Sequence, residues 1–119
     1  LGAPQYVVDI AALASSRTGM PQALILAQLK KESNFNPRAV SQTNDHGIAQ
    51  IHFPKPGVTL EQAYDPVFAI NWQANNMSVK FRTYGNWRDA LAAYNAGDAG
   101  RAKGYGYTYA DTVLRMAGL

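Results

Sequence analysis

Between Asp65-Pro66 and Gly85 lies the stretch that most limits what this chain can fold into. Val67, Ile70, Ala74, Met77 and Phe81 recur there at spacings of three and four, which gathers them on one face of a helix and scatters them on a strand. Asp65-Pro66 is a natural helix start and Gly85 a natural stop, so the pattern predicts one long helix ending near Tyr84. Such a helix must bury its stripe against other elements. The chain supplies more of the same kind. From Tyr6 to about Arg17, the residues Val7, Ile10, Ala11, Leu13 and Ala14 form a stripe that stops before Gly19. Pro21 suits the first turn of the next helix, carried forward by Ala23, Leu24, Ile25, Leu26, Ala27 and Leu29. Asn86 can cap another, with Trp87, Ala90, Leu91 and Tyr94 inward and Gly97 closing it before a glycine-rich loop. In that loop Tyr105, Tyr107 and Tyr109 alternate with Gly104, Gly106 and Thr108, ahead of a last helix packed by Val113, Leu114 and Ala117.

Residues 61–64 fit a short helical turn. The polar, glycine-containing segment 38–57 reads as an ordered loop or a small hairpin. With 119 residues and 47% of them hydrophobic, the chain can form one cooperative core and not two ordinary domains. The expectation is a mainly α single domain over residues 1–119, cut from a longer or processed protein and monomeric within it. No apolar run is long enough to span a bilayer. There is no cysteine, which excludes disulfides and thiolate metal sites. The net charge of +3 favours an anionic partner, but the lysines and arginines are scattered, a pattern that argues against a nucleic-acid footprint.

The chemistry points to Glu32. Ile25, Leu29 and Glu32 share a helix face, so the carboxyl should emerge at the rim of the core, while Lys30 and Lys31 point towards water. Asn34 to Pro37 end the helix, since the residue before a proline is pushed out of helical geometry. A carboxyl partly buried at such a place holds its proton to higher pH and can give it to a leaving glycosidic oxygen. Taken alone, Glu32 reads more readily as an acid that merely decorates a helix end. Asp45, Glu61 and Asp65 are the nearest other acids, though loop carboxylates most often serve turns and caps. His46 and His52 lack further ligands at a metal-site spacing, and the glycines at 97, 100, 104 and 106 do not form a phosphate loop.

Three segments, in order, extend this reading. Glu32-Ser33, Phe35-Asn36-Pro37, Ala39 and Ser41 form the first, Gly47-Ile48-Ala49-Gln50-Ile51 the second, and Ala90-Leu91-Ala92-Ala93-Tyr94-Asn95-Ala96-Gly97 the third. Together they resemble the catalytic domain of the soluble, lysozyme-like lytic transglycosylases, and the resemblance covers most of the chain. It implies a lysozyme-like fold with the 38–57 segment beside a cleft, and action on peptidoglycan glycan strands without a cofactor or metal. It also implies a periplasmic, envelope or extracellular location, virion-associated included. Glu32 is then the catalytic residue, and Ser41, Gln50, Ile51, Tyr94, Asn95 and Tyr109 are the substrate-binding candidates.

The chain departs from the family's pattern in places. The Glu-Thr pair that precedes the C-terminal tyrosine is missing, so Tyr107 or Tyr105 competes with Tyr109 for that role. His52 stands where many members carry methionine, and Ala69 and Gln73 replace the asparagine and glycine usual after Asp-Pro. These changes suggest a divergent branch of the phage- or conjugation-associated kind. Two alternatives stay open: a hydrolytic muramidase of goose-lysozyme type, and a wall-binding domain without turnover.

Overall fold

The structure is a computed structural model that describes residues 1–119. Six helices and one small hairpin make up the chain. They are α1 (Gln5–Thr18), α2 (Gln22–Ser33), the strands β1 (Asp45–His46) and β2 (Ile51–His52), then α3 (Leu60–Tyr64), α4 (Pro66–Tyr84), α5 (Trp87–Ala102) and α6 (Tyr107–Met116). The strands pair antiparallel, with Asp45 opposite His52 and His46 opposite Ile51. The chain is mainly α, and segment 38–57 is the predicted loop and hairpin.

The long stripe sets α4 at the centre, where it packs against α1, α5 and α2. Ile70, Ala74 and Met77 are fully buried, and Phe81 stacks on Trp87 with ring centres 4.2 Å apart. Val67 departs from the expectation, since it is 56% exposed. The buried face near the start of α4 runs instead through Ala69 and Gln73, one position round the helix from the edge predicted, while Ile70, Ala74 and Met77 stay common to both. Asp65 caps this helix by accepting from Val67 N–H at 2.9 Å. On α1, Val7, Ala11 and Ala14 face inward while Leu13 is 74% exposed. The inward face is thus narrower than the sequence suggested, with Ile10 only partly buried at its edge.

Two further corrections concern the C-terminal third. Gly97 breaks helical geometry (φ 77°, ψ 164°), yet the chain resumes at once and α5 extends to Ala102 rather than entering a loop. Asp98, just past the break, accepts from Lys80 and Tyr84 of α4 and fastens the resumed turns. Tyr107 and Tyr109 belong to α6 and not to an alternating loop. Gly106 permits that early start: its φ is +88°, and a Cβ there would stand 2.4 Å from the Ala92 carbonyl oxygen. Near the middle of the chain, Lys31 is exposed as expected. Lys30 is half-buried instead, bonded to the Asn34 side chain and lying 5.7 Å from the Phe35 ring centre.

Candidate active site

Helix α2 delivers Glu32 and then stops abruptly. Asn34 and Phe35 both take left-handed backbone geometry (φ 52° and 65°), so the helix ends before the restriction imposed by Pro37 applies. That conformation is unfavourable for a ring-bearing side chain, and Phe35 is retained in it by burial. The turn throws the chain into the 38–57 segment, which folds back beside Glu32. Ser33 fixes the return: its hydroxyl donates to the Ile48 carbonyl at 2.7 Å. Local chain reversal thereby places one carboxyl between α2, the hairpin and the C-terminal helices.

Three elements converge on Glu32. From α6, Tyr109 donates its hydroxyl hydrogen to Glu32 Oε2 at 2.8 Å. From α5, Tyr94 feels the charges of Glu32 and Asp45, and burial first and these charges second push its pKa well up. From β1, Asp45 repels the Glu32 charge. Burial is the largest influence on Glu32 and raises its pKa. The Tyr109 hydrogen bond pulls the other way, Asp45 raises it further, and Lys31 lowers it. The net displacement is upward, the direction that favours a general acid.

Asp45 behaves in the opposite manner. Its partial burial favours the neutral form, but hydrogen bonds from Thr43, Ser41 and His52 outweigh that and lower its pKa. Ser41 Oγ donates to Asp45 Oδ2 at 2.7 Å, and His52 Nδ1 lies 3.0 Å from Oδ1. The two acids of the site are therefore shifted in opposite directions, Glu32 upward and Asp45 downward. Of the other acids considered, Asp65 is occupied as a cap and Glu61 is exposed in the first turn of α3.

The remaining candidates fall in different places. Gln50 and Tyr94 line an open cavity of about 290 Å³ walled also by His52, Lys55, Trp72, Asn76 and Lys80. The Gln50 amide donates to the Ala39 and Gly47 carbonyls, so it braces the hairpin and does not bond to Glu32. Ser41 likewise serves Asp45 and not Glu32. Asn95 is exposed on α5 and makes no side-chain hydrogen bond within the chain. Ile51 is fully buried in the core, and its side chain offers no surface to a ligand. The histidines are engaged separately. His46 is flanked by Tyr64 and Asn44, each at 2.6 Å, and His52 by Asp45.

Trp72 and Lys55 were not singled out by sequence. The Lys55 ammonium lies 5.9 Å from the Trp72 ring centre, and Trp72 meets Tyr94 edge-on at 6.2 Å. A signal did exist: Trp72 falls outside the buried stripe of α4, an unusual place for an indole unless it faces a cleft or a partner.

A helix-end glutamic acid beside a short hairpin, next to a tyrosine that lines an open cavity, is the arrangement of the lysozyme-like class of domain. The chain belongs to the SLT transglycosylase family: the profile described as "Transglycosylase SLT domain" matches residues 9–113. It is also similar to Protein IpgF of Shigella flexneri, 30% identical over 113 residues that cover 86% of this chain and 74% of the relative. The Shigella sonnei protein of the same name matches equally, at 30% over 113 residues. No solved structure matches the chain. SLT domains act on peptidoglycan, which implies a periplasmic or envelope setting, and no helix here is long and apolar enough to cross a membrane.

The three tyrosines can now be separated by their contacts. Tyr105 is 64% exposed, and Tyr107 donates to Asp89 at the surface of α5. Only Tyr109 reaches the acid. Tyr109→Phe is expected to lower glycan cleavage about ten- to a hundredfold, the effect of losing a hydrogen bond to a charged group worth about 1.5–3 kcal/mol. Tyr105→Phe and Tyr107→Phe should keep the parent rate in the same turbidity assay on cell-wall suspensions. Full activity in Tyr109→Phe would remove that tyrosine from the site.

Proposed function

We propose that the domain is a peptidoglycan lytic transglycosylase that cleaves the β-1,4 bond between N-acetylmuramic acid and N-acetylglucosamine. The observation that carries this reading is the Tyr109 hydroxyl bonded to a Glu32 carboxyl whose pKa burial raises, beside Tyr94 of the open cavity. Glu32 gives its proton to the leaving N-acetylglucosamine oxygen as the bond to C1 breaks. The glutamate then takes the proton of the muramoyl C6 hydroxyl, whose oxygen bonds to C1. The acid is restored, no water is consumed, and the new end is a 1,6-anhydro sugar. One carboxyl thus serves as acid and then base. Gln50, Tyr94 and Asn95 are proposed to hold the sugar, because an intramolecular attack depends on the ring being correctly placed. Ser41 is proposed to act through Asp45, and Tyr109 through Glu32. The domain would work as a monomeric unit in the periplasm, envelope or extracellular space.

A second reading has one specific support. Asp45 is an ionised carboxylate close enough to influence Glu32, and such a pair can run a hydrolytic muramidase in which Asp45 steers or activates water. Mass spectrometry of digested, borohydride-treated peptidoglycan separates the readings. Anhydro, non-reducing muramoyl ends are expected. Muramitol ends, formed by borohydride from reducing products heavier by one water, would mean hydrolysis. A domain that co-sediments with the wall and yields neither product would be a binding module.

A further inference from the structure

Two glutamines meet behind the acid. Gln28 on α2 and Gln73 on α4 are both fully buried, and Gln73 Nε2 donates to Gln28 Oε1 at 2.7 Å. That bond leaves Gln28 Nε2 and Gln73 Oε1 without a hydrogen bond of ordinary geometry. A buried amide pair satisfied by half is a poorer core than two apolar side chains of the same shape, so packing alone does not account for it. Its location does. Gln28 lies one helical turn before Glu32 on the same face of α2, the glutamate to which Tyr109 donates, and it is among the groups that act on the Tyr109 hydroxyl, drawing its pKa down against the larger upward effect of burial.

We propose that Gln28, held by Gln73, is a positioning residue for Glu32: its Nε2 serves the Tyr109 oxygen and commits the single Tyr109 hydroxyl hydrogen to the Glu32 carboxyl. A phenol has one hydrogen to give and can accept. With a donor behind it, the hydroxyl cannot usefully turn away from the acid. The direction is set by Gln73, which occupies Gln28 Oε1 and leaves the nitrogen for Tyr109. The relay then runs from Gln73 through Gln28 and Tyr109 to Glu32, each donor polarising the next. It steadies the glutamate that must exist between the two proton transfers. Gln28 and Gln73 carry no charge at any relevant pH, so they tune Glu32 without titrating. The other groups that act on Glu32 are Tyr109 from α6, Asp45 from β1, Lys31 on its own helix, and Tyr94 from α5, on which its charge is felt in turn. The catalytic use of this relay rests on the acid role proposed above; the relay itself does not.

The test reads Glu32 directly. The chain has two glutamates, Glu32 and Glu61, so carbon-13-labelled glutamate carboxyls give two NMR titration curves, and Glu61→Gln assigns them. Gln28→Met is expected to raise the Glu32 midpoint by on the order of half a pH unit, because a weaker Tyr109 donor stabilises the ionised form less. Gln28→Met/Gln73→Met leaves no amide unpaired and should raise it equally. In the unaltered protein, the Gln28 side-chain nitrogen resonance should move with the Glu32 midpoint, a measurement that needs no variant to fold. An unmoved midpoint in the folded variants would assign the pair to packing and overturn the proposal. A lowered midpoint would do so as well, since it means that Gln28 Oε1 competes for the Tyr109 hydrogen. A Gln28 resonance flat through the Glu32 titration also overturns it. A domain that titrates as expected yet cleaves no glycan would overturn the acid role and leave the relay standing.

Discussion

Glu32→Gln abolishes glycan cleavage and leaves a domain at least as stable as the parent at neutral pH; this is the result expected from the geometry of the site. The amide keeps the volume and can still accept the Tyr109 hydrogen bond, but it has no proton to give and cannot take one. General acid–base catalysis contributes about a hundred- to ten-thousandfold for a single transfer, and here one group performs both. The stability half of the result follows from the sign of the pKa shift. Burial raises the Glu32 pKa in the folded chain above its unfolded value. Its contribution is therefore fully present below the unfolded pKa and is lost as pH rises through the folded pKa. Once pH passes the unfolded pKa that contribution is progressively lost, whereas the glutamine does not titrate and loses none. Melting curves of the two proteins should thus converge in acid and separate in the variant's favour towards neutrality. Turbidity loss of wall suspensions, measured on the same preparations, supplies the catalytic half. Near-parent lysis by folded Glu32→Gln would sink the acid assignment.

What was legible in the sequence was whatever depends on neighbours a few residues apart. The helix starts and stops near Asp65-Pro66, Gly85 and Gly19 follow from local backbone preferences, and so does the placing of Glu32 at a helix end. The misread parts depend on partners distant in the chain. Val67 and Leu13 are as apolar as their buried neighbours, and only the packing of α1 against α4 decides which side of each helix is covered. Gly97 is a true helix breaker, but α5 resumes because Asp98 finds Lys80 and Tyr84 on another helix. The candidate site shows the same division. Tyr109 could not be chosen over Tyr105 and Tyr107 by spacing, because what separates them is a contact with a residue 77 positions away. Gln28 gave no signal at all: a glutamine inside an apolar helical run reads as a surface residue until a second buried amide, Gln73, is found opposite it.

Gly47 carries the other large expected effect, and it links the fold to the site. Its φ is +86°, and a Cβ placed on it would lie 1.9 Å from the Ala63 carbonyl oxygen and 2.8 Å from the Ala63 carbonyl carbon. Both obstacles are backbone atoms of α3, and Ala63 is itself fully buried, so neither can swing aside as a long side chain would. Gly47→Ala must therefore push the hairpin off α3 in addition to adopting an unfavourable backbone conformation. The conformational part alone costs about 1–3 kcal/mol. The displacement adds the loss of packing around Ile48, Ala49 and Ile51, all fully buried, and brings the total to about 4 kcal/mol or more, the range of severe core lesions. For a domain of this size that corresponds to a fall in Tm of roughly 15 °C or more. Gly85→Ala is the control, because Gly85 has a similar φ of +77° and open space where its Cβ would go. It should show the conformational cost only. Gly47 also precedes Ile48, whose carbonyl holds Ser33 beside Glu32, and it accepts from the Gln50 amide. Any Gly47→Ala protein that remains folded should consequently have lost most of its glycan cleavage, whereas folded Gly85→Ala should keep it. Equal melting temperatures for the two variants would show that the hairpin can leave α3 at little cost, and that the close approach at Gly47 does not hold the site together.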